Sequence, residues 1–127
     1  MTADDLEYRL DVPALMCAPD GPAVRSEDDA LSLIVAAGGQ GAELVVVPAE
    51  RLGEDFFELS TGLAGAIAQK FVNYRMRLAV LGDIAARTEA SKPLRDFVSE
   101  TNRGRQLWFV TDTAELDERL AAESAPR

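Results

Sequence analysis

Residues 58–83, ELSTGLAGAIAQKFVNYRMRLAVLGD, decide how this chain is read. They spell a helix start, a helix of about four turns and a buried strand. Ser60 or Thr61 supplies a side-chain oxygen for the orphan backbone donors of the first turn. Sorted at about 3.6 residues per turn, Leu63, Ile67, Phe71 and Tyr74 fall on one arc and are expected to face the core. Gly62, Gly65, Ala66, Gln69 and Asn73 fall on roughly the opposite arc. A glycine inside an exposed helix costs about 1 kcal/mol relative to alanine, and a merely solvated face would carry Glu and Lys. A bare strip with two amides therefore points to close approach by another surface. That surface is either a docking partner or a loop of the same chain, with Gly62 then belonging to the helix start.

Working outward, strong turn chemistry at Pro19-Asp20-Gly21-Pro22 separates two N-terminal strand candidates, Leu6–Leu10 and Val12–Ala18, from a helix capped by Ser26. Glu27, Asp28 and Asp29 complement that helix's dipole, Leu31, Ile34 and Val35 are its expected buried stripe, and Gly38-Gly39 end it. The unbroken apolar run in Glu43–Val47 marks a strand buried on both faces, stopped by Pro48. Arg51–Glu58 is a connector whose Phe56 and Phe57 fold back onto the core. Met76–Leu81 is the next strand and Ile84–Ala90 a loop. Ser91 caps a helix with Pro93 in its first turn, Leu94, Phe97, Val98 and Thr101 inward, and Gly104 as a left-handed terminus. Gln106–Val110 is the last strand, and Thr111, Asp112 or Thr113 caps a final helix packed through Leu116 and Leu120.

Strands alternating with helices require parallel pairing and right-handed crossovers. The expected architecture is one α/β domain over residues 1–127, a single layer of about five mostly parallel strands with four helices, frayed at 1–5 and 121–127. Loops leaving the strands at Pro48, Asp83 and Thr111 gather at one edge. Asn73, Tyr74, Arg75, Arg77, Asn102, Arg103, Gly104 and Arg105 gather at the other.

Of the 127 residues, 47% are hydrophobic and 28% charged, as in an ordinary globular domain. The acidic start MTADDLEYR carries no secretory pattern and no apolar run reaches membrane-spanning length, so a cytoplasmic location is expected. The chain has no histidine, which removes imidazole catalysis and imidazole metal ligation. The single Cys17 lies in an apolar run, where a thiol is usually inert packing. A net charge of −9 argues against general nucleic-acid binding. The charge is uneven: residues 1–60 hold 13 acidic and 3 basic side chains, residues 61–127 hold 9 and 10.

Residues 58–83 and the later run LRDFVSETNRGRQLWFV closely resemble the bacterial domain-of-unknown-function family 4180, over Arg25 to Leu120, with Val12–Ala18 matching least. That resemblance implies no particular activity. The element order is also similar to the sulfate-transporter and anti-sigma-factor-antagonist (STAS, SpoIIAA-like) domains. There an Asp-Ser-Ser-Gly-Leu motif begins the second helix and its serine is phosphorylated by a partner kinase. Leu59-Ser60-Thr61-Gly62-Leu63 stands at the matching place, with Leu59 where those domains have their acid.

The expected function is a non-catalytic, regulatory interaction module that binds a protein partner or a second copy through Gly62, Gly65, Gln69 and Asn73. Ser60 and Thr61 are the phosphorylation candidates, since a phosphate at a helix start meets free donors and the dipole. No membrane, nucleic-acid, metal or cofactor partner is expected. The alternative is a small-anion site or enzyme. It would use either Asp83 at the strand-end edge, with Glu54, Asp55 and Glu58 as further carboxylates, or Arg75, Arg77, Arg103 and Arg105 at the opposite pole. The competing reading is that those arginines pair with Glu100, Asp96 or the acidic half of the chain.

Overall fold

Leu44, Val45, Val46 and Val47 are all buried, and side chains along a strand alternate sides, so the sheet holding them must be covered on both faces. A computed structural model of the chain describes residues 4–124. Two strands come first, β1 (Asp5–Arg9) and β2 (Val12–Met16), followed by α1 (Glu27–Gly39) and β3 (Leu44–Pro48). After β3 come a 3-10 turn (Ala49–Arg51), the one-turn α2 (Glu54–Phe57), a second 3-10 turn (Leu59–Thr61) and α3 (Leu63–Asn73). The chain ends with β4 (Arg77–Leu81), α4 (Ala85–Ala90), α5 (Lys92–Asn102), β5 (Leu107–Val110) and α6 (Thr113–Ser124).

The sheet order is β1-β2-β3-β4-β5, with β1 antiparallel to β2 and every later pair parallel. Each parallel strand is added on the same side of its predecessor. Right-handed crossovers therefore drop α1, α3 and α5 onto one face. There Leu15, Val45, Val47, Leu78, Val80 and Phe109 meet Leu33 and Ile34 of α1, Ile67 and Phe71 of α3 and Leu94 of α5. The alternate residues Ala14, Leu44, Val46, Ala79, Trp108 and Val110 meet Leu116 and Leu120 of α6 on the other face. Three long helices, with the one-turn α2 buried through Phe56 and Phe57, cover one side and a single long helix the other.

Edge strands invite unwanted pairing, and this sheet occupies its β5 edge with a side chain. The Phe109 amide donates to Asn102 Oδ1 at 2.8 Å, and Asn102 Nδ2 donates to the Phe109 carbonyl at 3.3 Å. An amide from α5 thus takes the place a sixth strand would occupy. On the helix side of the same edge, Arg119 of α6 donates to the Asn102 carbonyl.

Several expectations are corrected. The buried stripe of α1 is Ala30, Leu33, Ile34 and Ala37, while Val35 is 64% exposed. Small alanines carry two of the inward positions, so the largest apolar side chains misplace the stripe. Tyr74 is exposed because it caps α3 at its C-terminus and the chain turns immediately after it. The stretch expected as a loop at 84–90 contains α4, a helix without a single buried residue and so without an apolar pattern to betray it. Gly104 does not have a positive φ; among the described residues the glycines that do are Gly41, Gly62 and Gly82. Where the expected frayed ends can be compared, β1 begins at Asp5 and α6 runs through Ser124; residues 1–3 and 125–127 lie outside the described part.

Candidate functional site

Four surfaces carry the residues singled out in the sequence. The first is the outer face of α3. Gly62, Gly65, Gln69 and Asn73 are all exposed and Ala66 is half-buried. A Cβ built on Gly65 would meet no atom within 4 Å, so this glycine does not clear a loop of its own chain. Gln69 Nε2 donates to Asn73 Oδ1 at 2.9 Å, one turn apart, so the two amides are joined to each other along the strip. Val72 and Tyr74 are exposed beside it at 44% and 53%.

At the start of that helix, neither Ser60 nor Thr61 is the cap residue. Both lie in the preceding 3-10 turn, and Gly62 is the cap, at φ +78°. A left-handed cap suits glycine because a Cβ there crowds the backbone, so the helix start by itself accounts for Gly62. Thr61 is held from three sides. Its hydroxyl lies 2.6 Å from the Asp55 carbonyl and 2.9 Å from that of Glu58, and accepts from the Leu63 amide. Ser60 is exposed and donates to the Glu58 carboxylate at 3.1 Å. Of the two hydroxyls, only that of Ser60 is clear of the backbone.

The third surface is the strand-end edge, where Pro48 and Leu81 stand side by side. An open cleft of about 510 Å³ is lined there by Arg25, Glu50, Gly53, Glu54, Asp83 and Arg87, among others. Asp83 spends Oδ1 on the Ala85 amide at the start of α4. Glu54 and Arg87 form a two-pronged pair at 2.8 and 2.9 Å, and the Arg87 guanidinium lies 4.4 Å from the centre of the Phe57 ring. Hydrogen bonding to Arg87, with its charge adding, holds the Glu54 carboxyl below its usual range. Arg25 crosses Gly53, and among the described residues its guanidinium has no hydrogen bond or ion pair. Glu54 and Asp83 line this cleft together, but among the described residues no three metal-ligating side chains are grouped closely enough to hold a metal ion.

The strand-start pole holds the arginines, and most have partners. Arg103 pairs with Glu100 at 3.3 Å, as the competing reading expected. Asp96 instead pairs with Lys92, whose hydrogen bond lowers the Asp96 pKa. Arg77 places both terminal nitrogens on Glu123 of α6 and its Nε on the Arg105 carbonyl, and stacks 4.6 Å from the centre of the Trp108 ring. Arg105 reaches the same Glu123 through Nε at 2.9 Å. Arg75 alone of the four has no partner among the described residues. With Val72, Arg77, Arg105 and Gln106 it lines an open cleft of about 420 Å³.

Cys17 is buried, and burial, followed by the charge of Asp4, pushes its thiol up to about 12. A thiol so protonated is a poor nucleophile. Arg25, Arg87 and Glu123 were not singled out in the sequence. The helix carrying Arg87 has no apolar period, and the Glu123 contact depends on where α6 crosses the sheet. No helix among the described residues is long and apolar enough to cross a membrane.

Comparison with known proteins adds a family. The one described as Domain of unknown function (DUF4180) matches residues 9–120. The match takes in Val12–Ala18, so β2 falls inside the family pattern, while of β1 it includes only Arg9. No curated protein and no solved structure matches the chain.

Proposed function

The chain belongs to the DUF4180 family, whose description assigns no activity, and from the geometry we propose a non-catalytic, regulatory cytoplasmic module that binds another protein through the outer face of α3. One observation carries this reading: the space over Gly65 is empty although a helix-stabilising residue would fit there. Glycine at such a place costs helix stability with no return inside its own chain. A partner backbone or helix packed against the strip would supply that return, with Val72 and Tyr74 adding apolar area at its end. Ser60 supports a regulatory role. A phosphate there would bring negative charge beside Glu58 and strain the turn that Thr61 holds, one step from the docking strip.

The test is a bulky substitution on the strip. Gly65→Trp should leave the melting temperature nearly unchanged, because nothing in the chain occupies that space. It should abolish association, read either as self-association by sedimentation or as recovery of a defined partner from host extract. Wild-type and variant chains behaving alike in both assays would sink the reading. Phosphorylation is checked separately by peptide mapping after incubation with host extract and ATP, where a modified Ser60 with an unmodified Thr61 is expected.

A second reading, a small-molecule site or enzyme at the strand-end edge, is favoured by Arg25 and Asp83 facing one cleft where open α/β sheets place ligands.

A further inference from the structure

We propose that the strand-start pole contains an anion site built on Arg75 and Arg105, taking a compound with a phosphate or carboxylate group. α3 ends in a closed turn. The Met76 amide donates to the Phe71 carbonyl at 2.9 Å and the Arg75 amide to the Val72 carbonyl at 3.0 Å, which closes the helix around residue 75. That closure requires a left-handed residue, usually glycine. Arg75 occupies the place at φ +55°, so folding alone would be better served by another residue. A guanidinium held against backbone preference, without a partner and at the rim of a cleft, is placed for something outside the chain.

The neighbours decide which arginines are free to receive it. Arg77 has every nitrogen engaged, on Arg105 and Glu123, and its face on Trp108; it forms the wall of the cleft. Arg105 uses only Nε, on Glu123, and its side chain is 72% exposed. Of the three guanidinium groups lining this cleft, two share the Glu123 carboxylate and that of Arg75 has none among the described residues. The surplus positive charge is what a phosphate or carboxylate would neutralise, through paired N–H donors of fixed geometry. The opposing consideration is that the C-terminal ends of α3 and α5 also point toward this pole, and an arginine there complements their dipoles. A basic residue in the last helical turn would do that without left-handed strain, and the experiment separates the two roles.

Calorimetric titration of the full chain with inorganic phosphate and, in a second arm, with succinate distinguishes the two chemistries. Saturable binding of at least one, with amide shifts in NMR spectra at residues 75 and 105, is the expected result. Arg75→Gly should weaken it about tenfold or more without lowering the melting temperature, a combination that a dipole role would not give. Arg105→Gln should weaken it as well. Glu123→Gln should tighten it, because it removes the carboxylate that competes with the ligand. Arg103→Gln, at a residue that does not line the cleft and is paired with Glu100, should change nothing. No saturation by either anion up to millimolar concentration would overturn the site. So would Arg75→Gly binding as well as wild type, or Arg103→Gln losing as much as Arg75→Gly.

Discussion

Arg51 follows β3 at the strand-end edge, and Arg75 precedes β4 at the opposite pole; the two side chains are treated in opposite ways. Arg51 is 4% exposed. Its Nε donates to the Pro22 carbonyl at 2.8 Å, and Nη1 donates to the Asp4 carboxylate at 2.8 Å and the Ala18 carbonyl at 3.2 Å. The turn between β2 and α1 wraps this guanidinium so closely that a Cβ on Gly21 would lie 2.7 Å from its Cζ. Asp4 also accepts from the Ala18 amide, so one ion pair joins the N-terminal segment, the β2–α1 turn and the segment after β3. The Arg75 guanidinium has none of this among the described residues, neither carboxylate nor carbonyl, and its backbone is strained. The lesson is that an arginine's role follows from whether the chain has already met its donors. Where they are met, the side chain is part of the fold; where they are open, it is available to a ligand.

The comparison breaks most directly at Arg51. Arg51→Ala should destabilise the chain by about 3 kcal/mol in urea unfolding, because it takes the cation from a partly buried carboxylate and a donor from the Pro22 carbonyl. A loss below about 1 kcal/mol would mean that the turn holds without its guanidinium.

Cys17 probes the same region by pH. Its thiol is raised in the fold from 9.0 to about 12, so the fold favours the protonated form. Stability is therefore untouched below pH 9 and falls as pH rises from there toward 12, by at most about 1.4 kcal/mol per unit. Cys17→Ala should flatten that slope, and native Cys17 should resist a thiol reagent at pH 8 until the chain unfolds. Rapid labelling of folded protein would contradict the burial.

Arg75→Gly should do the reverse of Arg51→Ala and stabilise the chain by about 1 kcal/mol, since it relieves a left-handed side chain. A thermal melt reads it, and a drop in the melting temperature would show Arg75 to be structural after all.

The smallest effect belongs to Glu54→Gln. The Glu54–Arg87 pair lies on the surface, and such pairs contribute little. Because the Glu54 pKa is lowered in the fold, what the pair adds is present above the usual carboxylate range and lost as pH falls through the lowered value. No resolvable change in melting temperature at pH 7 is expected. A clear drop would move this edge into the structural class with Arg51.

Much of the fold was legible because burial on two faces leaves an unmistakable apolar run, as in Leu44–Val47, and because caps are local chemistry. Ser26 accepts from the Asp29 amide, Ser91 from that of Leu94 and the Asp112 side chain from that of Glu115, as their positions suggested. The site was less legible. Gly65 could be placed on the outer face from angle alone, but whether a loop of the chain covered it could not. Four arginines could be placed at one pole, but their pairing could not, since Glu123 is separated from Arg77 by 46 positions. Arg51, buried at the centre of the turn, sits in a connector with no pattern at all.

What residue order alone determined is whatever depends on neighbours within a few positions: strand and helix type, caps, turns, and a parallel α/β architecture that follows from their alternation. Only the tertiary structure decided which charges are satisfied, which glycines face open space and which guanidinium groups, those of Arg25 and Arg75 among the described residues, are left without a partner. Those outcomes depend on distances between elements far apart in the chain, and such distances exist only once the sheet and its four long helices have packed.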